Sequence, residues 1–399
     1  MRGSVRKRGA GWEWRARTPD GRDVSRGGFR LQGDAEEALA KALVAMFDGR
    51  YVEPDRLTVE GFLVNVWLPA IKATVEPTTY AGYKVHVDRH LVPHLGAFRL
   101  QKITEAHLIA MYGELAKSGN QRGRLVDENG KPREPIGLSS TSIRRIHATL
   151  HHALSDAVEW RYLSRNVAAG KRAKPPKARR VPEMKVWTAS ELQTFLGHVR
   201  NERLHPLWRF VAMTGVRRGE ALGLRWCDVD LGESKVSIVR ARTTQGVSTP
   251  KTTRGRRLLE LDPQTVAVLK QWRKDQLEER MKWAEHWTDT GLVFTREDGK
   301  GYHPDGITGA FARLQTKYND QELAKAKEAR RQPALLPVIR LHDLRHTHAT
   351  LLLASGEHPK VVSERLGHAT PAFTLTVYAH VLPGLQKASI GRLASLVDG

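Results

Sequence analysis

Residues 366 to 381 read LGHATPAFTLTVYAHV, an apolar run that nonetheless carries two histidines and a tyrosine. A buried phenol with its hydroxyl on a neighbouring partner accounts for a lone Tyr378. A tyrosine that acts as a nucleophile needs more: groups elsewhere that stabilise developing charge and groups that move protons. Two earlier stretches supply them. In TGVRRGEALGL (214 to 224), Gly215 precedes a helix start that carries Arg217, which puts a guanidinium beside exposed backbone amides. In HDLRHTHAT (342 to 350), His342 and Arg345 stand three apart on one helical face. His368 ends the LGH triplet ten residues before Tyr378, and Lys251 falls at the expected tip of a β-hairpin.

The composition suits a polyanionic partner. Lys and Arg total 65 against 43 acidic residues, a formal charge of +22 and a pI of about 10.3, which favours nucleic acid. A membrane surface is the other polyanion, but no long apolar run, signal peptide or lipidation motif is present, so a soluble cytoplasmic protein is expected. The single cysteine, Cys227, excludes an intrachain disulfide and every multi-cysteine zinc module. A length of 399 residues with 40% apolar content suggests two or three domains with real cores.

The first thirty positions hold nine basic and three acidic residues. Trp12 and Trp14 alternate with Glu13 and Arg15, which predicts a strand; TPDG (18 to 21) predicts a turn into another, and DAEE (34 to 37) a capping box that starts a helix. Arg6, Lys7, Arg8, Arg15 and Arg17 make this unit a candidate DNA-binding sheet. From about residue 58 the period turns helical, with Tyr80, Tyr83, Val87 and Leu91 and then Ile143, Ile146, Leu150, Leu154 and Val158 in register. Between those helices, residues 120 to 137 lack any period and read as an exposed loop. Residues 170 to 185 contain seven basic residues, one acid and three prolines and predict an extended linker, with Lys171, Arg172 and Lys174 placed to lie along a DNA backbone. TASE (188 to 191) is a second capping box, and residues 235 to 261 hold two apolar runs flanking a turn region within otherwise helical sequence.

Taken in order, TGVRRGE, HDLRHT, LGH and TVYAH resemble the tyrosine recombinase family, specifically its phage-type integrases. The resemblance implies that Arg217 and Arg345 are the two phosphate-clamping arginines, His342 the catalytic histidine, His368 the histidine or tryptophan that follows LG, Tyr378 the nucleophile and Lys251 the lysine of the β-hairpin. Glu220 falls where the family has an acidic residue supporting the site. The implied fold is multidomain and mainly α. It has a small sheet plus a helix as an arm-type DNA-binding domain (1 to 55), an all-helical, SAM-like core-binding domain (58 to 170), a basic linker (171 to 186), and a mostly helical catalytic domain with a small antiparallel sheet (187 to 399).

The implied chemistry is strand cleavage and rejoining through a 3′-phosphotyrosyl link, without cofactor or metal, at the attachment sites of a phage or other mobile element. Its partners are duplex DNA with core-type and arm-type sites and three further copies of the chain in a tetramer. The setting is the nucleoid of a bacterial host, which leaves room for an excisionase and a host DNA-bending protein. The rivals are a chromosomal resolution recombinase of the Xer type and a non-catalytic architectural DNA-binding protein. His342 and His346 are one helical turn apart, a zinc-compatible spacing, but Asp343 stands where a zincin has glutamate and no third ligand is evident. His346 and His348 therefore read as ordinary helix residues, hydrogen-bonded near the site.

Overall fold

The alternating apolar residues near the N-terminus form three antiparallel strands, β1 (Gly3–Arg8), β2 (Gly11–Arg17) and β3 (Asp23–Phe29), in the order β1-β2-β3. The computed structural model describes residues 3–120, 136–177, 184–244, 246–248, 256–368 and 370–378, together with 390, 394 and 397. Two compact units divide the chain, Met1–Val181 and Pro182–Gly399. Lys251, nearly all of the 120 to 137 loop, residues 178 to 183 of the linker and most of the C-terminal stretch lie outside the described residues.

Pairing of Val5 with Trp14 and of Ala16 with Val24 places one sheet face on α1 (Gln32–Phe47), where Trp14, Ala16, Val24, Leu39, Ala42 and Met46 form a small core. The helix expected to begin at the DAEE box begins two residues earlier, at Gln32. Leu31 is its N-cap without a side-chain bond, and Asp34 lies in the first turn, where a carboxylate complements the helix dipole.

A second core in this unit is helical. A π-helical stretch, Gly61–Trp67, runs into α2 (Leu68–Ile71), and α3 (Pro77–His86) runs through a second such stretch, Val87–Leu91, into α4 (Val92–Leu95). Both widened stretches stop two residues short of a proline, Pro69 and Pro93. Proline has no N–H to give and clashes with the carbonyl one turn back, so a locally wider coil lets each helix pass through it instead of ending. α5 (Glu105–Ser118) and α6 (Ser140–Glu159) complete the bundle, and the predicted stripe Ile143, Ile146, Leu150 and Leu154 is buried in it. Ala173 is also fully buried there, so the chain stays on the bundle for a few residues past 170, while Lys171, Arg172 and Lys174 remain exposed.

The second unit opens with Trp187, whose indole N–H donates to the Pro337 carbonyl (2.8 Å), and with the predicted capping box: Thr188 accepts from the Glu191 amide (3.2 Å) at the start of α7 (Ala189–His198). α8 (His205–Thr214) and α9 (Arg218–Gly223) lead into the sheet region. There β4 (Val229–Asp230), β5 (Lys235–Ile238) and β8 (Arg257–Glu260) form one antiparallel sheet, and β6 (Ala241–Thr243) and β7 (Gly246–Ser248) a separate hairpin. The two apolar runs thus pair with each other as β5 and β8, and between them Thr243 pairs with Gly246 at the end of the β6–β7 hairpin. α10 (Pro263–Trp283) and α11 (Pro304–Glu328) pack on an aromatic core that includes Trp187, Phe195, Trp208 and Phe311. The last described helices are α12 (Asp343–Ala354), α13 (Pro359–Leu366) and α14 (Pro371–Tyr378). Among the described residues no helix is long and apolar enough to cross a membrane.

Candidate active site

Gly215 sets the entrance to the site. It ends α8 in the left-handed region (φ +64°), and a Cβ there would lie 2.6 Å from the His348 ring and 2.8 Å from Leu366. The turn delivers Arg217 to the N-cap of α9, and Gly219 and Gly223 let that short helix approach the backbone of β6. The TGVRRGEALGL stretch therefore uses one glycine for handedness and two for closeness.

Arg217 donates to Glu220 Oε1 (2.8 Å), and the Glu220 carboxylate also accepts from the Arg217 backbone amide (2.9 Å). The Arg217 side chain is 45% exposed, whereas Glu220 is buried. Arg257 on β8 reaches the same carboxylate (2.7 Å to Oε2) and donates from Nε to the Arg365 carbonyl (2.8 Å). Burial alone would raise the Glu220 pKa, but hydrogen bonding and the charge of Arg257, then those of Arg217, hold it below the usual carboxylate range. Nothing in the composition of the run RGRR singles out Arg257. The available signal is strand alternation, since Arg257 shares a face with the buried Leu259.

Arg345 is the opposite case to Arg217, only 3% exposed. It donates to two carbonyls, Gly215 O (2.8 Å) and Leu366 O (2.7 Å), and makes no salt bridge among the described residues. Burial, then the neighbouring Arg217, lowers its pKa to about 9, so it stays charged at neutral pH. The Arg217 guanidinium comes within 3.5 Å of the Gly367 carbonyl, beside the Leu366 carbonyl that Arg345 holds. The LG turn thus joins both arginines, and His368 follows it directly.

Tyr378 ends α14 with no exposed surface. Its hydroxyl is 2.7 Å from His346 Nδ1, and burial pushes its pKa up to about 12, against a smaller lowering by Arg345. His346 meets His342 edge to face, with ring centroids 5.2 Å apart. His342 is the N-cap of α12; burial first, then Arg345, lowers its pKa. His368 places Nδ1 2.8 Å from Thr374 Oγ1, and burial followed by Arg345 and Arg217 brings its pKa to about 4. The structure therefore gathers Arg217, Glu220, His342, Arg345, His368 and Tyr378 at one place. His346, expected as an ordinary helix residue, touches the phenol. His348 lies behind the site, with Nδ1 3.1 Å from the Ala212 carbonyl and Nε2 accepting from Arg365 (3.2 Å). Among the described residues no cluster of three or more His, Cys, Asp and Glu is placed to hold a metal ion.

The basic residues of the first unit sit apart from this site in sequence. Arg6 and Arg8 bond the Glu13 carboxylate (3.1 and 3.3 Å), and Arg15 lies 3.9 Å from it. Register puts these residues and Arg17 on the sheet face away from α1, whereas Lys7 pairs with Trp12 on the opposite parity. Glu13 is 2% exposed; burial opposes its ionisation, but hydrogen bonds from Arg6 and Ser25 and the charges of Arg8 and Arg15 hold its pKa below the usual carboxylate range.

Residues 185–384 match the phage integrase family, and residues 61–116 match the phage integrase N-terminal SAM-like domain. The chain is similar to a tyrosine recombinase XerC-like protein of Caldanaerobacter subterraneus (24% identical, over 92% of this chain and 90% of that protein). It is likewise similar to the ICEBs1 integrase of Bacillus subtilis (25%, over 84% and 82%). In structure it resembles the Tn1549 transposon integrase in complex with circular intermediate DNA (TM-score 0.62, 20% identity, covering 84% of this chain and 100% of that one). It also resembles a lambda integrase dimer bound to a core site (TM-score 0.55, 17% identity, covering 94% of each). With half of its length matched by the family and the tyrosine, arginines and histidines gathered in that half, the chain belongs to the phage integrase family of site-specific tyrosine recombinases.

Proposed function

We propose that Tyr378 attacks a DNA phosphodiester and forms a 3′-phosphotyrosyl link, so that the chain integrates and excises a phage or other mobile element at attachment sites. The observation that carries this reading is the buried Arg345, a charged guanidinium with carbonyl partners and no salt bridge among the described residues, beside Arg217 and the Tyr378 phenol. Arg345 pairs with no carboxylate among the described residues, and a phosphate is the anion that matches it. Arg217 and Arg345 bind the nonbridging oxygens and bear the added charge of the phosphorane. Glu220 and Arg257 hold Arg217 in place. His342 and His368 donate to the phosphate, and Lys251 protonates the departing 5′-oxygen. The phosphotyrosyl link conserves the bond energy, so rejoining needs no ATP, and the two guanidiniums do the work a metal ion does elsewhere.

Residues 58 to 170 serve in this reading as the core-binding domain and 187 to 399 as the catalytic domain. The sheet of residues 1 to 55 reads arm-type sites through the face that carries Arg6, Arg8, Arg15 and Arg17, and Lys171, Arg172 and Lys174 follow the backbone between domains. The structural relatives support DNA as partner, being complexes with transposon and core-site DNA, and a lambda integrase tetramer on a Holliday junction supports four copies acting together. An excisionase and a host DNA-bending protein are further partners, and the bacterial cytoplasm, at the nucleoid, is the place of action. The likeness to an XerC-like protein favours chromosomal resolution as the second reading; the basic N-terminal sheet favours the mobile element.

The test is a nicked suicide duplex carrying the attachment site read from the sequence beside the gene. Wild-type protein traps a covalent adduct in EDTA, and Tyr378→Phe binds the duplex without forming one. Trapping by the phenylalanine variant, or loss in EDTA restored by a divalent cation, overturns the proposal.

A further inference from the structure

We propose that His346, which none of the family motifs above assigns, is the base that takes the phenol proton of Tyr378; the inference rests on the recombinase reading and adds a catalytic residue to it. His346 Nδ1 is 2.7 Å from the Tyr378 hydroxyl, within reach of direct proton transfer. No second hydrogen bond among the described residues competes for that hydroxyl. His368, the histidine that follows LG, has Nδ1 on Thr374 Oγ1, and the His342 side chain makes no hydrogen bond among the described residues. Tyr378 has no exposed surface, so water is not beside the phenol to accept the proton.

The scaffold holds this base firmly. His346 follows Arg345 on α12, and Arg345 is tied to α8 through Gly215 O and to α13 through Leu366 O. The same turn of helix therefore carries one arm of the phosphate clamp and the base for the nucleophile. The His342 ring, edge to face at 87°, limits rotation of the imidazole. The His346 pKa of about 4, lowered first by burial, keeps the ring neutral at pH 7, and the tautomer with hydrogen on Nε2 is the one in which Nδ1 offers its lone pair to the phenol. The phenol is the weaker acid by far, with a pKa of about 12. The proton therefore does not leave first and moves as the new bond forms.

In the step, the Tyr378 oxygen forms a bond to phosphorus and its proton passes to His346 Nδ1. The phosphorus–O5′ bond breaks, and the departing 5′-oxygen takes a proton from the general acid, the role given to Lys251. The imidazolium so formed faces a phosphodiester whose negative charge Arg217 and Arg345 share. In rejoining, a 5′-hydroxyl attacks phosphorus and returns its proton to the deprotonated general acid, while the phosphorus–phenol oxygen bond breaks and the imidazolium returns its proton to the departing phenol oxygen.

Single-turnover cleavage of the suicide duplex, measured between pH 5.5 and 9, tests this. His346→Ala and His346→Gln are predicted to bind the duplex as wild type does and to cleave about 10²- to 10⁴-fold more slowly, the usual loss for a positioned base. Glutamine separates base from positioner, because its amide oxygen can hold the hydroxyl but cannot take a proton. Added imidazole is predicted to restore cleavage to His346→Ala, following the concentration of its free base, and the rate without imidazole to rise with pH as hydroxide replaces the missing group. A His346→Gln variant within threefold of wild type, or a His346→Ala variant that imidazole does not rescue, overturns the proposal while leaving the recombinase reading intact. If wild-type protein forms no adduct at all, the reading falls and the proposal with it.

Discussion

At the scale of single residues, the site is a set of charges arranged around one buried carboxylate. Glu220 receives Arg217 and Arg257, and the Glu220 and Arg257 side chains are 5% and 7% exposed. Removing one partner of a buried ion pair leaves the other charge uncompensated, at a cost of about 3–5 kcal/mol. Glu220→Gln is therefore predicted to lower the thermal unfolding midpoint and abolish cleavage, measured by calorimetry and by adduct trapping; an unchanged midpoint contradicts the assignment of Arg257 to this carboxylate. Arg217, His342, Arg345, His368 and Tyr378 were legible because each sits in a short motif of distinctive composition. Arg257 and His346 were not. Arginine is too abundant here for one in RGRR to stand out, and the bond between residues 346 and 378 depends on how α12 meets α14, which spacing along the chain does not encode.

At the scale of elements, the glycine turn before Arg217 is the feature most exposed to test. A Cβ at residue 215 meets both a left-handed backbone and the His348 ring at 2.6 Å. The backbone cost is about 1–2 kcal/mol and the overpacking about 1–3 kcal/mol. Gly215→Ala is predicted to destabilise the second unit by at least ~2 kcal/mol in denaturant unfolding and to lower cleavage more than DNA binding, since the turn aims Arg217. Cleavage equal to wild type would show that the turn does not set the arginine. Helix existence followed from periodicity, as for Ile143 to Leu154, and the Thr188 box marked a helix start correctly. The DAEE box did not, because Gln32 and Gly33 join the helix ahead of it when α1 packs on the sheet. Nothing in a linear reading separates a proline that ends a helix from Pro69 or Pro93, which a π-helical stretch accommodates.

At the scale of the whole molecule, buried histidines make stability depend on pH. His348 has a pKa of about 3, and His346 and His368 of about 4, each lowered first by burial from 6.5. Below pH 6.5 the unfolded chain takes up protons that the folded chain refuses, so the stability these groups contribute is present above pH 6.5 and is lost as pH falls towards 4. The unfolding midpoint is predicted to drop between pH 6.5 and 5, above the range in which ordinary carboxylates titrate; a flat profile there contradicts neutral, buried imidazoles. The charge of +22 belongs to DNA binding. Deleting residues 1 to 55, whose sheet and helix have their own core, is predicted to leave core-site cleavage intact and to flatten the salt dependence of total DNA binding by about 0.9 in log units for each phosphate that the shortened protein no longer neutralises. An unchanged slope would mean that the sheet face of Arg6, Arg8, Arg15 and Arg17 touches no DNA.

Residue, element and whole molecule converge on a buried phenol, in a cage of arginines and histidines, that is proposed to take over a DNA phosphate. Trapping the adduct on a suicide duplex in EDTA, digesting it and sequencing the peptide that carries the nucleotide by mass spectrometry tests this directly. The expected result is one modified residue, Tyr378, joined to a 3′-phosphate, with a free 5′-hydroxyl on the released strand. A nucleotide on any other side chain, or on a 5′-phosphate, would contradict it.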